Sequence, residues 1–370
     1  MNKVLRWLLL LAIVLAVVVI WFLYNSSKTP GYSGTRTPVS VLKARNQDYA
    51  LAQTYFDQGK YDLALKSFQK SLTEASDEAQ KVQIQLDIAA AHQLLGNYTE
   101  AIIQYKSVAA DTSNRDGLRA YAVQELGIMR DLHYEQDVRE KILAETFKGS
   151  PYDSFKKDGN VNLAYTKLFE YAASIYPLAM SEARVAYGYS NELITTLRGA
   201  TTSPQGQDYL ARISESLKAA DSDLKRMENN SVDALFIPSV LVREGMALQR
   251  LASLGIGTME DAEAYFQKGM ERDALIGVRP GSYNAFNYAA FLASAYGKKR
   301  AVDIQNLLAP FKAGNEAGIA RTIPGFYRNA RSNPALSVSK SSLVLMAQID
   351  LDFQKYLISL GWKSSDFSEK

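Results

Sequence analysis

One pattern occurs twice at a fixed offset, and it limits what this chain can fold into more than any other feature. Gly59, Tyr61, Ala64 and Phe68 recur as Gly96, Tyr98, Ala101 and Tyr105, each 37 residues later. Tyr61, Ala64, Leu65, Phe68 and Leu72 lie at i, i+3, i+4, i+7 and i+11. Tyr98, Ala101, Ile102, Tyr105 and Ala109 repeat that stripe. Such spacing places the apolar residues on one face of an α-helix. The glycine two residues earlier suits a tight helix-to-helix turn, where a positive φ costs least without a Cβ. A small alanine lets paired helices cross closely, and the aromatic four residues on fills the space that opens beyond the crossing. One hairpin cannot bury its own apolar face, so units of this kind must stack.

On these residues the chain resembles the tetratricopeptide repeat family. The family's small first-helix residue corresponds to Ala52 and Ala89, and its first-helix aromatic to Tyr55, with His92 in that place in the second unit. The 37-residue period is longer than the family's usual ~34, and the closing proline is missing. Gly257, Met259, Ala262 and Phe266 form a third, looser copy. The resemblance implies binding of a protein or peptide partner. In that family's groove geometry the inward-facing first-helix residues are Asn46, Gln47, Tyr55, Gln85 and His92, although Tyr55 also fits a packing role between repeats.

The amino terminus carries a separate signal. Trp7 to Tyr24 is free of charged residues, and eighteen residues at about 1.5 Å each cross most of a ~30 Å hydrocarbon layer. Trp7, Trp21 and Tyr24 stand at its ends, where interfacial aromatics are favoured. A cleaved signal peptide is the rival reading. It has a shorter apolar core ending in small residues, whereas this run ends Val-Val-Val-Ile-Trp-Phe-Leu-Tyr. The expectation is an uncleaved single-pass anchor at 7–24 after a cytoplasmic stub at 1–6, oriented by Lys3 and Arg6 so that the bulk of the chain is extracytoplasmic. Residues 25–37, rich in Ser, Gly, Thr and Pro, read as a flexible tether.

Beyond the tether, Thr37-Pro38 reads as an N-cap and first-turn proline. Helices are expected at 39–57, 61–75, 78–95, 98–110, 114–130 and 135–147. Residues 148–159 break the pattern as a connector or binding loop, and two long helices, 178–198 and one ending near Met227, depart from the repeat length. Further helices are expected at 283–296 and 301–308, with a single capping helix at 337–360. Strand signals are nearly absent. The predicted fold is an all-α helical-hairpin solenoid: repeats over 38–147, a divergent helical region over 148–235, and repeats with a capping helix over 236–370.

Chemistry-bearing motifs are scarce. The chain has no cysteine and two histidines, His92 and His133, and only Asp137 has helical spacing to either. No Gly-rich phosphate loop, Gly-x-Ser-x-Gly or His-Glu-x-x-His occurs. Hence no catalytic residue, metal ligand or cofactor is assigned. Glu260/Asp261, Asp350/Asp352 and Lys298-Lys299-Arg300 read as solvated helix charges rather than sites. A net charge of +3 over 370 residues does not ask for nucleic acid. The 22 tyrosines exceed what the repeat cores need and suit a binding surface.

The expected function is a membrane-anchored adaptor presenting its concave face to a protein partner, as a subunit or assembly factor of an envelope complex. An accessory or catalytic protein of envelope carbohydrate metabolism, with a pocket in 148–230, is the alternative. A structural component that oligomerises through its own repeats is the third reading.

Overall fold

The computed structural model describes residues 42–44, 46–130, 136–157, 159–228, 236–275, 283–312, 337–359 and 361–367. The apolar run 7–24, the stub, the tether, Thr37-Pro38 and His133 lie outside these. Among the described residues there are fifteen α-helices and no strand, and no helix is long and apolar enough to cross a membrane.

The helices are α1 (Gln47–Asp57), α2 (Tyr61–Glu74), α3 (Glu78–Leu94), α4 (Tyr98–Ala110), α5 (Asp116–Met129), α6 (Gln136–Thr146), α7 (Val161–Ile175) and α8 (Ala179–Thr195). There follow α9 (Pro204–Met227), α10 (Ile237–Ser253), α11 (Met259–Leu275), α12 (Tyr283–Tyr296), α13 (Ala301–Lys312), α14 (Ser337–Ile349) and α15 (Leu351–Ser359). Their packing resolves into pairs: α1 with α2, α3 with α4, α5 with α7, α8 with α9, α10 with α11 and α12 with α13, closed by α14 and α15. The second helix of each pair also packs on the first helix of the next, and first helices touch one another at α3/α5, α8/α10 and α10/α12.

The repeat residues act as their spacing predicts. Ala64, Phe68, Ala101 and Tyr105 are buried, and so are Ala262 and Phe266 in α11. Gly59 and Gly96 have φ of +72° and +81°. Lys60 N–H donates to the Tyr55 carbonyl and Asn97 N–H to that of His92, both at 2.9 Å. These bonds close each first helix in the six-residue Schellman manner. In the looser copy the same bond runs from Ile256 to Leu251, so the residue equivalent to Gly59 is Gly255, at φ +79°. Gly257 lies two residues further on, and the turn there is longer than the sequence comparison implies.

Within the stretch read as divergent, α7 carries the repeat spacing. Gly159, Val161, Ala164 and Leu168 each stand 100 residues after Gly59, Tyr61, Ala64 and Phe68, and Ala164 and Leu168 are buried. α7 is therefore the second helix belonging to α5. Between them, α6 packs on α4, and a 3₁₀ turn at Tyr152–Lys156 packs on α7. Lys106 of α4 fixes the end of α6 by donating to the Glu145 and Lys148 carbonyls at 2.7 and 2.8 Å. Residues 148–157 thus form a packed connector, with Tyr152 buried.

Two predicted helices are divided. Asn46 is extended at φ −143° and its side chain accepts from Tyr49 N–H, so α1 starts at Gln47 and the segment 39–57 is not one helix. Asp350 does the same near the C-terminus, accepting from the N–H groups of Asp352 and Phe353, which ends α14 and starts α15 where one capping helix is expected. The buried spacing runs on across the break, with Leu343, Met346 and Ala347 buried in α14 and Phe353 and Leu357 in α15. α13 continues through Pro310 to Lys312, beyond the expected end at Leu308.

Several crossings are close enough to require glycine. A Cβ on Gly188 of α8 would lie 2.1 Å from Thr166 Oγ1 of α7, and that hydroxyl is itself held at 3.0 Å by the Asn162 carbonyl. Gly188→Ala is accordingly expected to destabilise by about 1–3 kcal/mol, read as a lowered denaturant midpoint with an unchanged slope.

Glu244 is the outlier of the core. It is fully buried on α10, and neither carboxylate oxygen has a hydrogen-bond partner. Burial, with Asp221 adding and Lys268 opposing, pushes its carboxyl up to about 9. In the unfolded chain a glutamate titrates near ~4.3. The folded state therefore keeps a proton that the unfolded chain has shed, and stability falls as pH rises from about 4 to about 9. Glu244→Gln removes this titration. It should raise stability at pH 8 by on the order of 2–4 kcal/mol while changing little at pH 4, measured as paired thermal melts across pH.

Candidate functional site

The first helices of the pairs form a polar row. Within it, Tyr49 Oη donates to Asp87 Oδ2 at 2.7 Å, tying α1 to α3, and Gln53 Nε2 donates to the same phenol at 3.2 Å. Gln83 and Asp87 are buried along α3. Further on, Ser181 of α8 donates to Gln124 Oε1 of α5 at 3.0 Å. Asn284 at the start of α12 donates to the Asp273 carboxylate of α11. Buried polar groups paired in this way fix the angle and register between neighbouring units, because an unpaired one costs far more than a well-made bond contributes.

The five sequence-predicted contact residues have different surroundings here. Asn46 is buried, caps α1 and donates to the Ser71 carbonyl at 3.2 Å, so its side chain is committed within the fold. Tyr55 is half-buried against the Phe68 cluster, in the packing role. Gln47 is exposed, and Gln85 and His92 are half-exposed. His92 Nδ1 lies 3.4 Å from the Asn97 amide at the α3–α4 turn. His92 belongs to the end of α3 and Gln47 to the start of α1, so they lie on successive first helices and not in one pocket.

A separate, shallow, solvent-open cleft lies between the third and fourth pairs. Tyr121 of α5, Leu178 and Met180 at the start of α8, Met227 of α9 and Phe236 give it an apolar lining. Phe236 is 41 % exposed, an unusual position for a phenylalanine. The charged residues in its wall are already engaged. Asp223 Oδ2 accepts from Ala179 N–H at 2.6 Å, capping α8, and pairs with Arg226. Arg226 also donates to the Pro177 carbonyl at 3.0 Å and lies 4.7 Å from the Tyr176 ring centre. Burial raises the Asp223 carboxyl, opposed by Arg226 and the Ala179 N–H. The cleft is suited to receiving an apolar side chain.

The acidic and basic groups singled out in the sequence serve the fold. Asp261 and Thr258 bond reciprocally in a box at the start of α11. Arg300 pairs with Glu263 and Asp303. Among the described residues no three acidic or histidine side chains gather as metal ligands. Sequence reading missed the cleft, because its walls come from three helices far apart in the chain, none with a recognisable motif.

Comparison with protein families matches residues 49–78 to the tetratricopeptide repeat. The match covers most of α1, all of α2 and the first residue of α3. No curated protein and no solved structure matches the chain. The chain thus carries a tetratricopeptide repeat within an all-α helical array, an architecture of protein-interaction scaffolds.

The Tyr49–Asp87 bond predicts a positional rather than a recognition role. Tyr49→Phe should lower stability by about 1–2 kcal/mol in chemical denaturation and leave the secondary structure, read by circular dichroism, unchanged.

Proposed function

We propose that this chain is a scaffold, held at a membrane by residues 7–24, that presents the row of first helices to a protein or peptide partner in the extracytoplasmic space. The observation that carries the reading is the pairing itself: six helical pairs align their first helices in one row, and the row exposes polar side chains such as Gln47, Gln85 and His92. The cleft at Tyr121, Met180, Met227 and Phe236 adds an apolar anchor point within the same array. Interfaces draw most of their energy from a few such anchors surrounded by polar contacts. The charge-free run from Trp7 to Tyr24 supports the membrane location. A role as subunit or assembly factor of an envelope complex follows from joining an anchor to an interaction surface.

The enzymatic alternative places a pocket in 148–230, and part of the cleft wall does come from there, namely Leu178, Met180 and Met227. Its Asp223 is spent on capping and pairing, which favours a docking role for this cleft.

Cross-linking in cells, followed by purification in mild detergent and mass spectrometry, tests the scaffold reading. The full chain should recover one reproducible partner. The triple variant Gln47→Ala, Gln85→Ala, His92→Ala and the single variant Phe236→Ala should each reduce that recovery severalfold with melting temperature preserved. Undiminished recovery from both variants would place the contact surface elsewhere. Fractionation should find the full chain in the membrane pellet and a chain lacking residues 1–37 in the supernatant.

A further inference from the structure

The first-helix row also holds two arginines on one tyrosine. Arg243, Met246 and Arg250 lie at i, i+3 and i+7 along α10, and all three are half-exposed, while Gly245 and Ala247 between them are buried. Both guanidinium groups sit over the ring of Tyr187 in α8, at 4.8 and 4.2 Å from its centre. Arg250 is fixed there: Nη2 donates to Tyr187 Oη at 2.9 Å and Nη1 to the Met246 carbonyl at 3.1 Å.

Neither cation has a carboxylate partner among the described residues. Arg119, Arg212, Arg226, Arg272 and Arg300 each pair with one, whereas Arg130 lies singly over the Tyr165 ring and donates to Asn162; two guanidiniums share a ring only at Tyr187 among the described residues. Two like charges held over one ring repel each other; burial depresses Arg250, Tyr187 opposes it, and Arg243 adds to the depression. The contacts with Tyr187 and the Met246 carbonyl stabilise the guanidinium groups, but no anion among the described residues offsets their mutual repulsion. An incoming anion would relieve the repulsion and use the free N–H groups, and a guanidinium fork matches the two oxygens of a carboxylate.

We infer that Arg243 and Arg250, set around Tyr187, form an anion-binding site that receives a carboxylate from an acidic segment of a partner protein. The inference rests on the proposed scaffold function and names the chemistry of its partner. The site lies on the same row of first helices, between α8 and α10. Met246 and the Tyr187 ring offer an apolar floor for the chain that carries the acid. The pair is compact and not a basic stripe, which fits single carboxylates better than a polyanionic backbone.

Fluorescence anisotropy with labelled octaglutamate, octaglutamine and octalysine peptides, on the full chain in detergent, tests it. Octaglutamate should bind and the other two should not. Arg243→Gln, whose guanidinium makes no hydrogen bond among the described residues, should weaken octaglutamate binding at least about tenfold, worth ~1.4 kcal/mol, at an unchanged melting temperature. Arg250→Lys, which keeps the charge but loses the fork, should weaken it by a smaller factor. Equal affinity of wild type and Arg243→Gln overturns the site. Displacement of the peptide by inorganic phosphate as readily as by free glutarate overturns the carboxylate assignment. Failure of octaglutamate to bind while cross-linked partner recovery persists removes this site and leaves the scaffold reading standing. Retained binding with no recoverable partner does the reverse.

Discussion

The structure depends on a close approach between paired helices, made by a small residue and filled four residues later by a large one. Ala64 with Phe68, Ala101 with Tyr105 and Ala262 with Phe266 are versions of one wedge. In α7 it is Ala164 with Leu168. Each wedge holds two helices together and leaves an apolar flank that only the next pair can cover. The architecture therefore grows along the chain from a local rule, and its core is a series of linked clusters.

Apolar packing sets distance, and buried polar contacts set alignment. The Tyr49–Asp87, Ser181–Gln124 and Asn284–Asp273 bonds all join one pair to the next. Loss of any one leaves a buried group without its partner, so the units are held in register more strictly than apolar stacking alone requires. Glu244 departs from this pattern, a buried carboxyl with neither oxygen hydrogen-bonded among the described residues. Its proton answers the same demand by removing the charge.

Much of this was legible in the residues. Gly59, Tyr61, Ala64 and Phe68 announced the hairpin, its turn and its buried face, because local spacing dictates all three. The counterpart in α7 was harder to see, since Val161 and Leu168 replace the aromatics and about thirty residues of insertion hide the period. The breaks at Asn46 and Asp350 went unread for a related reason. Both residues stand inside apolar patterns that continue on either side, and only the backbone shows that their side chains cap a new helix. Of the contact residues inferred from groove geometry, Gln47, Gln85 and His92 are accessible, whereas Asn46 is consumed by its cap. The cleft and the Arg243–Tyr187–Arg250 cluster were invisible in the sequence. They are made by helices brought together only through the stacking, and no single stretch carries their signature.

The separation of α5 from α7 has a consequence for assembly. In the other pairs the two helices are joined by short turns and can meet soon after either forms. The third pair must first close a loop spanning residues 130–160. Lengthening a loop adds little to the equilibrium cost, since closure entropy grows only with the logarithm of length, but contacts distant in sequence slow the search. The middle of the array should then be its kinetic seam, with the flanking halves ordering first and α7 docking last between two surfaces already formed.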